Sequence, residues 1–552
     1  MKLLVLLITL IYGLTWQANA QMLGNRSLLV PQLDYAPGQL LVKFRPQVSP
    51  AQREWARQAI GAQRLRTNEW LGTELWQVNP SLNLPELCRQ IGQSGWFEAV
   101  EPNWRVQLAW TPNDTLFPQQ NAMPVIRASQ AWDYWRGAPN FVMAIVDTGV
   151  DRTHPDLQAR LLPGYDFGGD ANGIRDSDPS DPFGHGTYVA GIAGAVANNG
   201  LGVAGVAPEG KILPVKVFRD SGYGFTSDFL DGLSYAVAQG AHAVNLSLGS
   251  TTANSLWETA INNTWNAGVV VVAAAGNNNN TDPFYPAWYA NCIAVAACNL
   301  DGTRSSVSTY GSWVDMAAPS GDVYSLSRGG GYSRNTAGYT SYAAPFVTAQ
   351  ASMLYALVAD GPSDRSVARA QAVRQLIEST AVPVPGNYVA HGRLNLEASI
   401  LRALTVPVAG RIIVAGYAGT YTGKPIEVQV LSGSTTLATV NTTANATGQF
   451  STEVFLNPSQ LGYRTLRVRA SGTLYKRVTN ARMRYPGVSG LTLNLVPGDV
   501  NGDNVIDDAD LLEVLFRFGQ TGTSHPADLD GNGTVDDADL LLVLFNFGQT
   551  GE

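Results

Sequence analysis

Four side chains in this sequence stand where acyl transfer could use them. Attack by a serine needs a hydroxyl, a base to take its proton, a carboxylate to orient that base, and donors for the developing oxyanion. Ser341 lies in Gly338-Tyr-Thr-Ser-Tyr-Ala-Ala-Pro-Phe-Val347. Ala, Ala and Val favour a helix starting there, and Pro345 is tolerated only in a first turn. Unsatisfied N–H groups and the positive dipole end at such a start favour negative charge. His185 sits between glycines in Phe183-Gly-His-Gly-Thr-Tyr-Val-Ala-Gly191, which leaves its imidazole uncovered. It is one of five histidines, with His154, His242, His391 and His525, and histidine is the usual base near neutral pH. Asp147 follows the apolar run Phe141–Val146, and a carboxylate buried there needs a partner. The His185 ring N–H would supply one. Asn277, after Val269–Gly276, could donate to an oxyanion beside the Ser341 N–H. Each has a plainer reading alone: a serine or aspartate capping a turn, an asparagine in one.

Together the four motifs resemble those of the subtilisin-like serine peptidases, or subtilases, whose triad runs in the order Asp, His, Ser. The matching segments are Val146-Asp-Thr-Gly-Val150, Gly184-His-Gly-Thr-Tyr-Val-Ala-Gly191, Ala275-Gly-Asn277 and Tyr339-Thr-Ser-Tyr-Ala-Ala-Pro345. Tyr339 stands where the family usually has Gly, and Tyr342 where it has Met. The resemblance covers roughly Pro112 to Leu404 and implies a secreted serine endopeptidase with Asp147, His185, Ser341 and Asn277 in its catalytic centre. It implies that an extended peptide pairs with Gly222, Tyr223 and Gly224 on one side and Ser247, Leu248 and Gly249 on the other. Sequence preference would then be weak. It implies a propeptide before Pro112, an inhibitor of its own enzyme until cut between Val106 and Leu116. Asp156 matches a calcium ligand of the family, with Asn199 as a second; a helix-starting aspartate is the other reading.

The elements that must hold these residues show in the hydropathy pattern. Phe141–Val146, Ala243–Ser247 and Val269–Ala274 are continuous apolar runs, as expected of parallel strands buried on both faces of an α/β sheet. Ligands in such folds bind at the carboxyl ends of the strands, where Asp147 and Asn277 lie. At 552 residues the chain is long enough for roughly three or four domains. Residues 1–20 read as a signal peptide: Lys2, an apolar run Leu3–Leu14, and Ala18-Asn-Ala20,. No other segment is long and apolar enough to span a membrane. Residues 21–111, the propeptide, show strands at Gln39–Arg45, Thr73–Val78 and toward Val106, and helices at Ser49–Gln63 and Leu84–Gly92. Their alternation of strands and helices suggests a small α+β domain. Residues 112–404, by the same resemblance, are expected to form the subtilisin-like peptidase domain. Residues 406–495, with short alternating runs between Gly, Ser, Asn and Pro, read as an antiparallel β-sandwich.

Residues 496–552 repeat themselves. Asp499–Leu512 recurs as Asp528–Leu541, each copy followed by an apolar helix and Phe-Gly. Oxygen ligands at positions 1, 3, 5, 7 and 12 of a loop suit Ca²⁺. They are Asp499, Asn501, Asp503, the Val505 carbonyl and Asp510, then Asp528, Asp530, Asn532, the Thr534 carbonyl and Asp539. The pair resembles a type I dockerin, which implies a cohesin-type scaffold protein as partner. From Gly498 onward twelve acidic residues face Arg517 alone, so the net charge of −8 conceals +3 before that point, while residues 406–495 by themselves carry +7. The acid is concentrated where a cation would sit, and nothing points to nucleic acid. Three cysteines make no disulfide scaffold,.

Overall fold

The computed structural model describes residues 35–79, 84–104, 110–170, 172–522 and 525–552. The signal peptide read at residues 1–20 lies outside them, as do residues 106–109 of the expected cut. The chain gathers into two compact units. One holds the described residues up to Leu108 with Gly416–Lys424 and Pro497–Gln549; the other holds Ala109–Ala415, Pro425–Val496 and Thr550–Glu552.

In the first unit β1 (Tyr35–Phe44), α1 (Pro50–Ala59), β2 (Gln63–Asn68), β3 (Thr73–Gln77), α2 (Leu84–Gly92) and β4 (Phe97–Trp104) follow one another. The strands pair antiparallel in the order β2-β3-β1-β4. Leu40, Val42, Trp76, Leu84 and Phe97 fill the core beneath them. Helix α1 ends earlier than its composition suggests. Gly61 takes a left-handed φ of +62°, which a helix interior excludes, and the chain turns into β2. Every residue of β2 is exposed, so it carries no alternation to read.

The second unit is built on an eight-stranded sheet in the order β14-β11-β10-β9-β8-β5-β7-β6. Its strands are β5 (Val142–Asp147), β6 (Tyr165–Asp166), β7 (Lys211–Lys216), β8 (Ala243–Leu246), β9 (Val270–Ala274), β10 (Ile293–Cys298), β11 (Met316–Pro319) and β14 (Gly392–Arg393), all paired parallel. Every residue of β5, β8, β9 and β10 is buried, which explains their unbroken apolar runs. A hairpin of β12 (Val323–Ser327) and β13 (Gly331–Asn335) stands apart from this sheet. Helix α3 spans His185–Gly194 and α4 spans Ala344–Val358. The three cysteines are buried and unpaired.

Residues after Leu404 form a three-stranded sheet, β18-β15-β21, and a four-stranded one, β17-β16-β19-β20. Here β15 is Thr405–Val414, β16 Pro425–Ser432, β17 Thr435–Thr443, β18 Gln449–Phe455, β19 Gly462–Ala470, β20 Lys476–Met483 and β21 Val488–Leu495. The pairing is antiparallel, as the alternation suggests, except that β15 and β21 run parallel. Two short helices, α5 (Asp508–Phe516) and α6 (Asp537–Phe545), follow the repeated loops in the first unit.

Candidate active site

Strand β5 delivers Asp147 to the carboxyl edge of the sheet with 1% of its side chain exposed. Its Oδ1 accepts the Thr148 N–H at 2.7 Å and the His185 Nδ1–H at 2.7 Å. A carboxylate only accepts, so this bond places the histidine proton on Nδ1 and leaves Nε2 its lone pair. The close approach depends on Gly186. A Cβ there would stand 2.1 Å from the Gly149 carbonyl oxygen and 3.1 Å from the Asp147 Cβ.

A second buried carboxylate fixes the amino end of α3. Asp181 Oδ1 accepts from the Thr148 hydroxyl and from the Phe183 and Gly184 N–H groups; Oδ2 accepts from the Thr187 N–H and hydroxyl, all at 2.7–3.0 Å. The Thr148 hydroxyl in turn accepts the Gly186 N–H at 2.9 Å. Asp181 thus ties the helix that carries His185 to the strand exit that carries Asp147. In the sequence it is one acid among several in its loop, with Asp176 and Asp178 before it.

Burial pushes the His185 pKa down, but the Asp147 charge and hydrogen bond, with the Asp181 charge, outweigh it and leave the value above the ordinary 6.5. A base must be neutral to accept a proton. The acid limb of kcat/KM therefore has its midpoint above pH 6.5, and Asp181→Asn moves that midpoint down by removing one source of the rise. A pH–rate profile of both proteins checks this; an unmoved limb would rule out Asp181 as a tuning group.

Ser341 lies in a 3-10 turn, Thr340–Tyr342, just before α4 rather than in the α-helix itself. Helix α4 opens with Pro345 in its first turn. The Tyr342 ring packs 5.6 Å from His185 and 4.6 Å from Tyr188, centroid to centroid, which brings the serine turn against α3. Ser341 Oγ donates to the Ser247 carbonyl at 3.4 Å, and the Ser247 hydroxyl donates to the Ser341 carbonyl at 2.8 Å. Among the described residues Ser341 Oγ makes no hydrogen bond to His185. In uncomplexed enzymes that contact is often long and tightens with substrate.

Asn277 is held by the residue before Ser341. Its Oδ1 accepts the Thr340 N–H at 2.8 Å and the Thr340 hydroxyl at 3.0 Å. A backbone N–H can only donate, so the asparagine presents its oxygen to Thr340 and keeps its amide N–H groups for another acceptor. Tyr339 adopts φ −75°, ψ 141°, a conformation open to any residue, so the glycine usual there is not required by the backbone. Its side chain is 43% exposed beside the serine turn.

The two segments expected to bind peptide lie beyond β7 and β8. Gly222 and Gly224 bracket Tyr223, whose ring is half exposed and meets Phe225 edge-on at 5.6 Å, with Arg219 over both rings. Ser247 and Leu248 lead into Gly249, where a Cβ would come within 2.3 Å of the Tyr285 carbonyl oxygen. His242 belongs to the fold. It is buried between the Val142 N–H and the Pro362 carbonyl, and burial lowers its pKa to about 4.

Cation sites are tested by their donor sets. Asp156 is fully buried and accepts the Asn199 side-chain amide at 2.7 Å and the Val203 N–H at 3.0 Å. Burial raises its pKa, and the charge of Asp114 adds to the rise. Asp114, also buried, accepts the Asn198 N–H at 2.7 Å. It lies 42 residues upstream of its partner, with no motif in the sequence to join the two. Two buried carboxylates with no lysine or arginine bonded to them among the described residues suit a hard cation. In the repeats, carboxylate oxygens of Asp499, Asp503 and Asp510 converge within 4.8 Å, and so do those of Asp528, Asp530 and Asp539. Asn501 and Asn532 lie in the same loops, accepting the Asp503 and Thr534 N–H groups at 2.9 and 2.8 Å; Val505 and Thr534 follow, their own N–H groups turned to the loop side chains. Among the described residues Asp528 Oδ1 is buried without a hydrogen-bond partner. These loops also fit calcium. A third cluster, Asp315, Glu378 and His391, does not, because Arg374 already bonds both of its carboxylates at 2.9 and 2.6 Å.

A family model described as "Subtilase family" matches residues 138–405, and one described as "Fervidolysin N-terminal prodomain" matches residues 25–103. The chain is 44% identical over 289 residues to thermitase from Thermoactinomyces vulgaris, covering 52% of this chain and 98% of that protein. It is 37% identical over 364 residues to a thermophilic serine proteinase from Bacillus sp. (strain AK1), covering 65% of this chain and 86% of that one. The chain belongs to the subtilase family. Subtilisin Savinase from Lederbergia lenta is 37% identical over 258 residues, covering 47% of this chain and 89% of that protein. This subtilase is therefore a serine-type endopeptidase with an amino-terminal prodomain, and no helix among its described residues is long and apolar enough to cross a membrane.

Proposed function

We propose that this subtilase is a secreted endopeptidase that cleaves peptide bonds through Ser341, His185 and Asp147, with Asn277 and the Ser341 N–H as oxyanion donors. The observation that carries the reading is the Asp147–His185 bond, 2.7 Å long, beside a serine turn whose preceding residue orients Asn277. Ser341 Oγ attacks the scissile carbonyl carbon while His185 Nε2 takes its proton. Asp147 holds the Nδ1–H and balances the imidazolium. The carbonyl oxygen, now negative, receives the Asn277 amide. His185 returns its proton to the leaving amine, which leaves an acyl-enzyme on Ser341 that water hydrolyses by the same route. The peptide pairs as an added strand between Gly222–Gly224 and Ser247–Gly249, and main-chain pairing of this kind makes the preference broad.

The prodomain inhibits the enzyme until it cuts itself free between Val106 and Leu116. Asp114, Asp156 and Asn199 hold one calcium ion, and the five ligands of each repeat hold one more. A bound Ca²⁺ neutralises carboxylates that otherwise repel one another. The β-domain at 406–495 is a sandwich, and the tail is a dockerin-like docking module, for which a cohesin-type scaffold is the partner class.

Asn277→Ala tests the catalytic reading. Losing one oxyanion donor lowers kcat by about a hundredfold to a thousandfold and leaves KM nearly unchanged, because the donor acts on charge present only in the transition state. Initial rates on a peptide anilide measure both constants. A kcat within threefold of the unmodified enzyme would exclude Asn277 from the oxyanion site.

A further inference from the structure

The two repeats share their ligand positions but not their surroundings. Gly416–Lys424 connects β15 to β16 and belongs to the compact unit that contains the repeats. It lies on the second copy. The Ala418 and Gly419 N–H groups donate to the Asp530 carbonyl at 2.8 and 3.2 Å. Glycine is required on both sides of this contact. A Cβ on Gly419 would stand 2.2 Å from the Gly531 carbonyl oxygen, and one on Gly531 would stand 2.4 Å from the Tyr417 ring. Tyr417 packs on Tyr421 with centroids 4.8 Å apart, and the Lys424 ammonium lies 4.4 Å from the Tyr417 centroid. The Leu542 side chain closes the other end against Gly416, 3.1 Å from where a Cβ would be.

The sequence says why the second copy is chosen. At the offset of 29 residues the counterpart of Leu542 is Glu513. A carboxylate packed against Gly416 would lose its water without gaining a partner. Asp528, 6% exposed, keeps Oδ1 buried without a hydrogen-bond partner among the described residues, and its Oδ2 accepts the Gly533 N–H at 3.0 Å as the Asp499 Oδ2 accepts the Asn504 N–H at 3.2 Å. Asp530 serves both functions: its carboxylate joins the acidic cluster and its carbonyl takes the two N–H groups of Gly416–Lys424.

We propose that Gly416–Lys424 is a clasp for the second repeat, closed when that loop holds its calcium ion. The proposal rests on the calcium reading of the repeats. An ion that fixes the Asp530 carboxylate also fixes the carbonyl beside it, and with it the acceptor on which the clasp hangs. The second repeat is then held in cis, and the two copies differ in what they offer to another protein.

Full-length protein carrying Ser341→Ala, which does not digest itself, is the sample. Hydrogen exchange is followed with and without Ca²⁺, and calcium binding is measured by titration calorimetry on the same preparation. Ca²⁺ should slow exchange at the Ala418 and Gly419 amides by about tenfold or more. Asp528→Asn should lower the calcium stoichiometry by one and abolish the protection. Asp499→Asn should lower the stoichiometry by one and leave the protection intact. Leu542→Glu should open the clasp while both loops still bind. Calcium binding without protection, protection lost equally in Asp499→Asn, or protection unchanged in Leu542→Glu overturns the clasp alone. A stoichiometry unmoved by either aspartate substitution overturns the clasp and the calcium reading of the repeats together.

Discussion

Ser341→Ala leaves the chain at its unprocessed mass and lowers kcat by about a millionfold, the size of loss typical when a serine triad is deprived of its nucleophile. The size follows from how the three residues act. Once Oγ is gone, the proton that His185 would take does not exist, and the Asp147 bond has no imidazolium to balance. His185→Ala should therefore cost as much as Ser341→Ala, and the double variant should cost no more than either. The residual rate, about a thousandfold or more above water, comes from the oxyanion donors and substrate binding. Purified chain refolded in the absence of other proteases provides the test, with intact mass for processing and peptide anilide hydrolysis for rate. A Ser341→Ala chain that trims itself to a start between residues 106 and 116 would place the nucleophile elsewhere.

Much of this site was legible because the residues that build it also break local patterns. Six buried residues of β5 end on a carboxylate; two glycines flank a histidine that opens α3; β9 runs into Gly276-Asn277, and Gly276 takes φ +102°. Each break is a residue type that packing alone would not select. What the sequence concealed are partnerships across space. Asp181 looks like any loop acid until five donors from Thr148 and the start of α3 are seen around it. Asp114 and Asp156 gain meaning only from each other. Strand β2 is polar throughout because nothing covers it, and the parallel pairing of β15 with β21 joins strands about 70 residues apart, with no signal in either. The clasp was hidden for a different reason. Gly, Tyr and Thr between two strands read as an ordinary connection, and only the glycine at 531 and the leucine at 542 show that its surface has a counterpart.

Asp147→Asn should lower kcat by about ten-thousandfold near neutral pH, although the two side chains are almost the same shape. The surroundings of the carboxylate explain why. Oδ1 accepts from both Thr148 and His185, while Oδ2 is buried with no hydrogen-bond partner among the described residues. An asparagine has two ways to sit there. With its oxygen at the Oδ1 position both bonds survive, but an amide nitrogen is then buried unpaired, at a cost of about 1–3 kcal/mol, and no charge remains to balance the imidazolium. With the amide reversed, its nitrogen confronts the Thr148 N–H and donates to His185 Nδ1. The histidine proton moves to Nε2, and the base can no longer accept one from Ser341. The outcomes differ in a way that can be read. The first leaves a small activity whose acid limb lies at lower pH than in the unmodified enzyme, because the Asp147 charge and hydrogen bond are main causes of the raised His185 pKa. It also removes stability that the pair contributes below pH 6.5 and loses as pH rises through the raised His185 value. The second shows the other tautomer directly in the ¹⁵N shifts of the His185 ring. Retention of a tenth or more of the activity in Asp147→Asn would mean that Asp147 only positions the ring, and that Asp181, the other carboxylate near it, carries the electrostatic part.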